Sequence, residues 1–129
     1  MHHVFVYCEK YKEWREEAEA SIVEWTKEKL EILEVEEVIA NNLLKSAKSL
    51  FADDPVIWPL QETFFYLGQL PKIDPLINMG GVDRGEIYRR RLKSHIANGW
   101  HLACIRLAGR IFGDFQRRMA VLNDVKKAC

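Results

Sequence analysis

The stretch that decides the fold begins at Trp100 and reads WHLACIRLAGRIFGDF up to Phe115. Apolar or small residues cover most of the circumference of the helix that this stretch predicts, which extends to about Arg118. The polar exceptions Arg106, Arg110 and Asp114 are four residues apart and form one narrow stripe. A helix that is apolar nearly all round is typical of one buried by neighbours on most sides. The sequence therefore predicts a central helix wrapped by amphipathic ones.

Two long amphipathic helices are predicted upstream of this central helix. Apolar residues recur every three or four positions over about residues 9–29 and again from Val35 to Phe51. The second helix should end before Pro55, because proline pushes the residue before it out of the helical region. The stripe of the first helix is Tyr11, Trp14, Ala18, Ile22 and Trp25, and that of the second is Val35, Ile39, Leu43, Ala47, Leu50 and Phe51.

Two shorter helices complete the pattern. Pro59 suits the first turn of a third helix, which Gly68 closes. Asp83 is placed to cap a fourth helix, and Asn98-Gly99 should break it just before the central, fifth one.

Length and composition define the class of protein. With 129 residues, 48% of them hydrophobic and 29% charged, the chain is typical of one folded domain over residues 1–129 and not of a disordered protein. Nineteen basic and nineteen acidic residues cancel, which excludes a global field that would attract nucleic acid or a membrane. No apolar run approaches the length of about 18 residues that a membrane span needs. Since the first residues also lack the features of a secretion signal, we expect a cytoplasmic protein.

Cysteine and histidine give no sign of a metal site or a disulfide framework. The three cysteines are far apart, which favours a reducing compartment, and Cys104 lies in an apolar stretch that predicts a core residue. His95 and His101 are six residues apart and do not share one face of a straight helix, so we expect no metal and no cofactor.

Charge is distributed unevenly along the chain. From Glu9 to Glu37 there are eleven acidic and five basic residues, and from Arg84 to Lys127 there are eleven basic and three acidic ones. The two regions are expected to pack as complementary neighbours or to present solvated faces. A basic binding surface is the remaining interpretation.

The region around Asn98-Gly99-Trp100-His101 resembles the first homology region of the B-cell lymphoma-2 (Bcl-2) family of apoptosis regulators. That family enters its central helix through Asn-Trp-Gly-Arg, so tryptophan and glycine are transposed here and His101 replaces the arginine. Upstream, residues 61–65 and 70–74 resemble the end of the second helix and the third helix of prosurvival members, and Leu50–Asp53 resembles a weakened third homology region. The second homology region and the C-terminal anchor of the family are not found, as expected of a divergent viral homologue.

The resemblance implies an all-α, Bcl-like bundle of about six helices around a buried fifth helix. It implies a non-enzymatic inhibitor of apoptosis that sequesters the amphipathic death-motif (BH3) helix of proapoptotic partners in a hydrophobic groove. A homodimer is left open, and nucleic acid and a stable membrane span are not expected. The protein would act in the cytoplasm, the host cytosol for a viral protein, with a peripheral position at mitochondria as an alternative.

The groove would be formed by residues on the second to fifth predicted helices. His101 would face the aspartate of the ligand and bind it more strongly when charged, below about pH 6.5. Arg89, Arg90, Arg91 and Arg106 are alternative anchors. The expected groove residues are Phe51, Phe64, Phe65, Ile87, Tyr88, Arg91, Leu92, Asn98, His101 and Ile105.

Two other functions remain compatible with the residues. Arg90 and His95 have the R-x4-H spacing of helical ribonucleases of the HEPN type. The run from Arg89 to Lys93 would also suit a basic helical bundle that binds nucleic acid through phosphate contacts, and an adaptor bundle is a further alternative.

Overall fold

A computed structural model describes residues 2–52, 58, 63–77 and 85–125, and these parts contain helices and no strand. The predicted all-α class is therefore confirmed. The second predicted helix ends earlier than expected, at Lys48, and Leu50 and Phe51 follow it in a turn. Of the third predicted helix, the described residues form only a 3-10 turn at Phe65–Leu67. Pro55 and the expected helix starts at Pro59 and Asp83 lie outside the described residues. The helices are α1 (His2–Val6), α2 (Lys12–Ile32), α3 (Glu37–Lys48), α4 (Asp74–Ile77) and α5 (Glu86–Val125), with single turns of 3-10 helix at Glu9–Tyr11 and Phe65–Leu67.

Helices α2 and α3 form an antiparallel pair through a tight connection. Glu34 has a φ of 53°, a left-handed conformation that ends the chain's helical path after Leu33. The amide of Val35 then donates to the carbonyl of Leu30 at 3.1 Å. The predicted stripe of the second helix is confirmed in the core, where Ile39, Leu43, Ala47, Leu50 and Phe51 are buried.

Helix α5 is 40 residues long and packs on α2, on the 3-10 turn at Phe65–Leu67 and on the short helices α1 and α4. Leu92, Ile96 and Trp100 are buried along it, followed by Cys104, Leu107 and Ile111. These residues are three or four positions apart and form a single stripe. The prediction that Cys104 is a core residue is confirmed.

The predicted break at Asn98-Gly99 is wrong, because α5 passes through both residues without interruption. A glycine inside a helix costs only about 1 kcal/mol relative to alanine, which a well-packed helix tolerates. Gly99 has a packing role instead: the ring of Trp25 lies so close to its backbone that a Cβ at this position would overlap the indole.

The prediction of a helix buried on most sides is also wrong. Leu102, Ile105 and Phe112 are 46%, 62% and 41% exposed, although they lie in the apolar stretch that predicted full burial. The physical reason is that α3 packs mainly on α2 and α4, so that the neighbours of α5 cover one side of it. Among the described residues there are three long helices, of 21, 12 and 40 residues, and not six around a central one.

An aromatic cluster holds the N-terminal residues onto this scaffold. The rings of Phe5 and Tyr66 stack at 4.4 Å, and those of Phe51 and Phe65 meet edge to face at 5.0 Å. The cluster joins α1, the end of the α3 segment and the 3-10 turn, which Gly68 closes with a φ of 78°.

Candidate functional site

The ten residues expected to form a groove do not line one concavity. Phe51, Phe65 and Leu92 are core residues, 4%, 1% and 1% exposed, so they are not available to a ligand. Phe64 and Tyr88 are half-buried, and the Tyr88 hydroxyl donates to the carbonyl of Leu33 at 3.4 Å. The remaining five are exposed and, being spaced 4, 7, 3 and 4, follow one face of α5: Ile87, Arg91, Asn98, His101 and Ile105.

A different concavity lies between α2 and α5, and we call it the α2–α5 trough. It encloses about 490 Å³ and is open to solvent along one side. None of the ten expected groove residues lines it. Its lining residues are Trp14, Glu17, Ala18, Ser21, Ile22 and Trp25 from α2 and Gly99, Leu102, Ala103, Arg106, Leu107 and Arg110 from α5.

The trough is open because small side chains face each other across its floor. Ala18 and Ser21 of α2 and Ala103 of α5 line the trough and are too short to fill the space between the helices, whereas Gly99 lies under the ring of Trp25 at one end. Ile22 and Leu107 are buried beneath and make the base apolar. An apolar concavity with few polar groups at its edge is the usual form of a binding site.

Two tryptophans bound the trough. Trp14 and Trp25 are eleven residues apart, which is three turns of α2, or about 16 Å, and puts both indoles on the same face of the helix. Trp25 rests on Gly99 at one end. Trp14 lies at the other end, under the guanidinium of Arg110 at 3.9 Å from the ring centroid.

The charged groups at the rim are of both signs. Arg110 forms an ion pair with Glu17 at 3.2 Å across the trough, and since both side chains are more than half exposed the pair contributes at most about 1 kcal/mol. This contact confirms that the acidic and basic regions of the chain are neighbours. Arg106 lines the same rim and has no ion pair with any residue in the described parts of the chain.

A polar network fixes the Trp14 end of the trough. The buried hydroxyl of Tyr11 donates to Asp114 at 2.9 Å, and Arg118 donates to the same carboxylate oxygen at 2.6 Å. Burial, and then the bond to Asp114, raise the pKa of Tyr11 to about 12. The hydrogen bond from Arg118, helped by Tyr11 and Arg117, lowers the pKa of Asp114. The network therefore favours a neutral phenol and an ionised carboxylate at neutral pH.

A buried hydrogen bond fixes the Trp25 end. The indole nitrogen of Trp100 donates to the hydroxyl of Thr26 at 3.0 Å, and both residues are fully buried. The two helices that form the walls are thus tied together beyond each end of the trough, so its width is set before any ligand arrives.

The residues of the ribonuclease hypothesis are not brought together. Arg90 and His95 are five positions apart on one continuous helix and point about 140° apart around its axis. Arg90 is paired with Glu86 at 2.7 Å, and Lys93 with Asp74 at 2.9 Å. The second concavity, of about 370 Å³ beside these residues, therefore has largely neutralised charges.

Cysteine and metal chemistry find no support in the described residues. Burial raises the pKa of the Cys104 thiol to about 12, which leaves it protonated and unreactive at neutral pH. The described parts hold no group of three side chains suited to a metal ion. Nor do they include a helix that is both long and apolar enough to span a bilayer.

Residues that line the trough were already visible in the sequence, as part of the apolar stripe of the first predicted helix, but that stripe was assigned to the core. Trp14, Ala18, Ile22 and Trp25 were all in that stripe. Two tryptophans separated by shorter side chains leave a depression in the helix surface where the side chains of the facing helix are also small. The facing surface forms only because α5 is continuous through Gly99. Since the sequence analysis predicted a helix break at that residue, this surface was not predicted.

Comparisons with known proteins add no family: no family model, no curated protein and no solved structure matches this chain.

Proposed function

We propose that this chain is a non-enzymatic interaction module that holds one amphipathic helix of a partner protein in the α2–α5 trough. The observation that supports this most directly is an open apolar concavity whose two walls are tied together at both ends. A site of this form needs no bond chemistry, and the described residues around it include no nucleophile paired with a base.

The dimensions of the trough suit a helix. The distance of about 16 Å between Trp14 and Trp25 matches three helical turns, which carry apolar anchors at i, i+3 or i+4, and i+7. Small residues on the floor let the backbone of the ligand approach closely. Leu102, which is 46% exposed at the rim, would be covered by a bound helix, and its burial favours binding.

The charges of the rim indicate the polar face of the ligand. Arg106 lines the trough without an ion pair to another described residue, so an aspartate or glutamate on the ligand can bind it. Because Arg106 is exposed at the rim, such a pair contributes at most about 1 kcal/mol, like that of Arg110 with Glu17. The partner helix should therefore carry apolar anchors on one face and an acidic residue beside them.

Proapoptotic death-motif helices are the ligand class that the Bcl-2 resemblance names, and they have this pattern of apolar anchors with an aspartate. We propose them as the first class to test, with suppression of cell death in the cytosol as the consequence of sequestering them. In this proposal Arg106 takes the place that the sequence assigned to His101, because His101 is exposed and does not line the trough.

Calorimetric titration with a panel of proapoptotic helix peptides tests the proposal. Ala18→Leu fills the floor of the trough, whereas Ala20→Leu places the same side chain on an exposed position of the same helix that does not line it. We expect Ala18→Leu to weaken binding about tenfold or more, which is about 1.4 kcal/mol, and Ala20→Leu to leave it unchanged. Absence of binding by the wild-type protein to every peptide, or an equal effect of the two variants, would overturn it.

A further inference from the structure

Helix α5 has a second apolar stripe, which we call the outer stripe. It consists of Leu102, Ile105, Phe112 and Met119, all exposed, with Gly109 and Gln116 between them. The six positions are spaced 3, 4, 3, 4 and 3, which is the heptad spacing of a helix that pairs with another helix. The outer stripe lies about 150° around the axis from the buried stripe of α5, and its large apolar residues are 37–62% exposed.

We infer that a second copy of this chain packs on the outer stripe, with the two α5 helices antiparallel and the twofold axis between Arg110 and Ile111. In a symmetric pair each contact occurs twice, and the same surface must be complementary to itself. The sequence of the outer stripe meets this requirement in that register.

The register places large residues opposite small or flexible ones. Residue Phe112 lies opposite Gly109 of the second copy, and Leu102 lies opposite Met119. A parallel pair in register would instead place Phe112 against Phe112 and Gly109 against Gly109, which crowds one layer and leaves a void in another. The alternation of sizes therefore favours the antiparallel arrangement.

Gly109 has room for a neighbour. A Cβ built at this residue meets no atom within 4 Å, so nothing in the described chain occupies the space above it. At Gly99, on the buried side of the same helix, the Trp25 ring fills that space. The ring of Phe112 from a second copy is the group that the antiparallel register brings to Gly109.

The pairing goes beyond the proposed function, since it needs no foreign helix. The outer stripe and the trough share Leu102 and no other residue, so a bound helix and a second copy compete for that one side chain. The two proposals have different readouts: mass in the absence of any peptide for the dimer, and heat of peptide binding for the trough.

Sedimentation velocity over a wide range of protein concentration tests the pairing. We expect the wild-type chain to sediment as a dimer and Phe112→Glu as a monomer. Gly109→Leu is a second variant, which fits the open space in the single chain but blocks close approach, and should weaken the dimer about tenfold or more. Val121→Glu is the matched control: Val121 is exposed on the same segment but lies on the far side of the helix, so this variant should stay dimeric.

Cysteine cross-linking tests the register, in a background of Cys8→Ser and Cys129→Ser that leaves the buried Cys104. Leu102→Cys and Met119→Cys are oxidised separately and as an equal mixture. In the antiparallel pair the two copies of residue 102 are about 26 Å apart, too far for a disulfide, so only the mixture should cross-link. A wild-type monomer at all concentrations, a monomeric Val121→Glu, or cross-linking by either variant alone would overturn the inference.

Discussion

The indole of Trp25 lies flat against α5 at Gly99, at a distance that leaves no room for any side chain at that position. This contact determines how closely α2 approaches α5 and leaves the trough open beyond it. The glycine that looked like a helix break is thus the residue that lets the two walls of the candidate site meet.

Replacing Gly99 with alanine should destabilise the protein. Overpacking in a core costs about 1–3 kcal/mol, which exceeds the gain of about 1 kcal/mol in helix propensity when most of the clash remains. Gly113→Ala is the matched control on the same helix, because its new Cβ meets Arg117 at an ordinary 3.6 Å. Urea unfolding should show Gly99→Ala less stable and Gly113→Ala equal to or more stable than wild type. The reverse order would mean that Trp25 does not pack on Gly99.

The buried bond between Trp100 and Thr26 should make a measurable contribution to stability. Thr26→Val keeps the shape of the side chain but leaves the indole N–H without its acceptor, which costs about 1–3 kcal/mol. Thr26→Ser keeps the hydroxyl and is the control for loss of the methyl group. We expect the valine variant to be the less stable of the two in urea unfolding, and equal stability of valine and wild type would contradict the bond.

The free energy of unfolding should fall at both acid and alkaline pH, because the two partners of the Tyr11–Asp114 bond titrate at opposite ends of the pH range. Since the pKa of Asp114 is lowered in the folded state, its contribution is present above the ordinary carboxyl pKa of about 4 and is lost as the pH falls below it. Since the pKa of Tyr11 is raised to about 12, its contribution is present below about pH 10 and is lost between pH 10 and about 12.

Two variants separate the acid loss of stability from the alkaline loss. Both keep the other charged or titratable neighbours of the bond, Arg117, Arg118 and Cys8. Tyr11→Phe should reduce the alkaline loss of stability, and Asp114→Asn should reduce the acid loss. The free energy of unfolding measured from acid to alkaline pH checks this. An alkaline limb that is the same in Tyr11→Phe and wild type would show that the phenol is not the group responsible.

Thiol labelling should show that α5 is buried on one side only. Cys104 is fully buried, whereas its neighbour Ile105 is 62% exposed. In the folded monomer, at protein concentrations too low for two copies to pair, Ile105→Cys should react rapidly with a maleimide, and Cys104 should react only after unfolding; Cys8 and Cys129 are replaced by serine in both proteins. Slow labelling of both residues would restore the buried central helix that the sequence predicted.

Periodicity identified which residues of α3 and α5 are apolar and on which face, and the buried positions Leu43, Ala47, Leu92 and Ile96 follow from it. It could not show whether a second apolar face of α5 is covered, because that depends on where α3 packs. The sequence therefore placed Leu102 and Phe112 in a buried helix and Ile105 among the expected groove residues. The trough was missed because its shape depends on pairs of residues far apart in sequence, such as Trp25 with Gly99, which no local pattern reports.

Arg106 and His101 distinguish the two possible polar anchors for an acidic ligand residue. Arg106→Ala should weaken peptide binding by up to about 1 kcal/mol, because Arg106 lies at the exposed rim of the trough. His101→Ala should leave both the affinity and its pH profile unchanged, because His101 is exposed away from the trough. Calorimetry of both variants with one peptide decides between them, and a larger effect of the histidine variant would restore the anchor that the sequence predicted.

The most direct test of helix binding in the trough uses the indole N–H signals of the four tryptophans in the NMR spectrum of the labelled protein. Trp14 and Trp25 line the trough, whereas Trp58 and Trp100 are buried elsewhere and donate to Ser49 and Thr26. On titration with an amphipathic helix peptide, the signals of Trp14 and Trp25 should shift and those of Trp58 and Trp100 should stay in place. Binding that moves neither Trp14 nor Trp25 would contradict the proposed site.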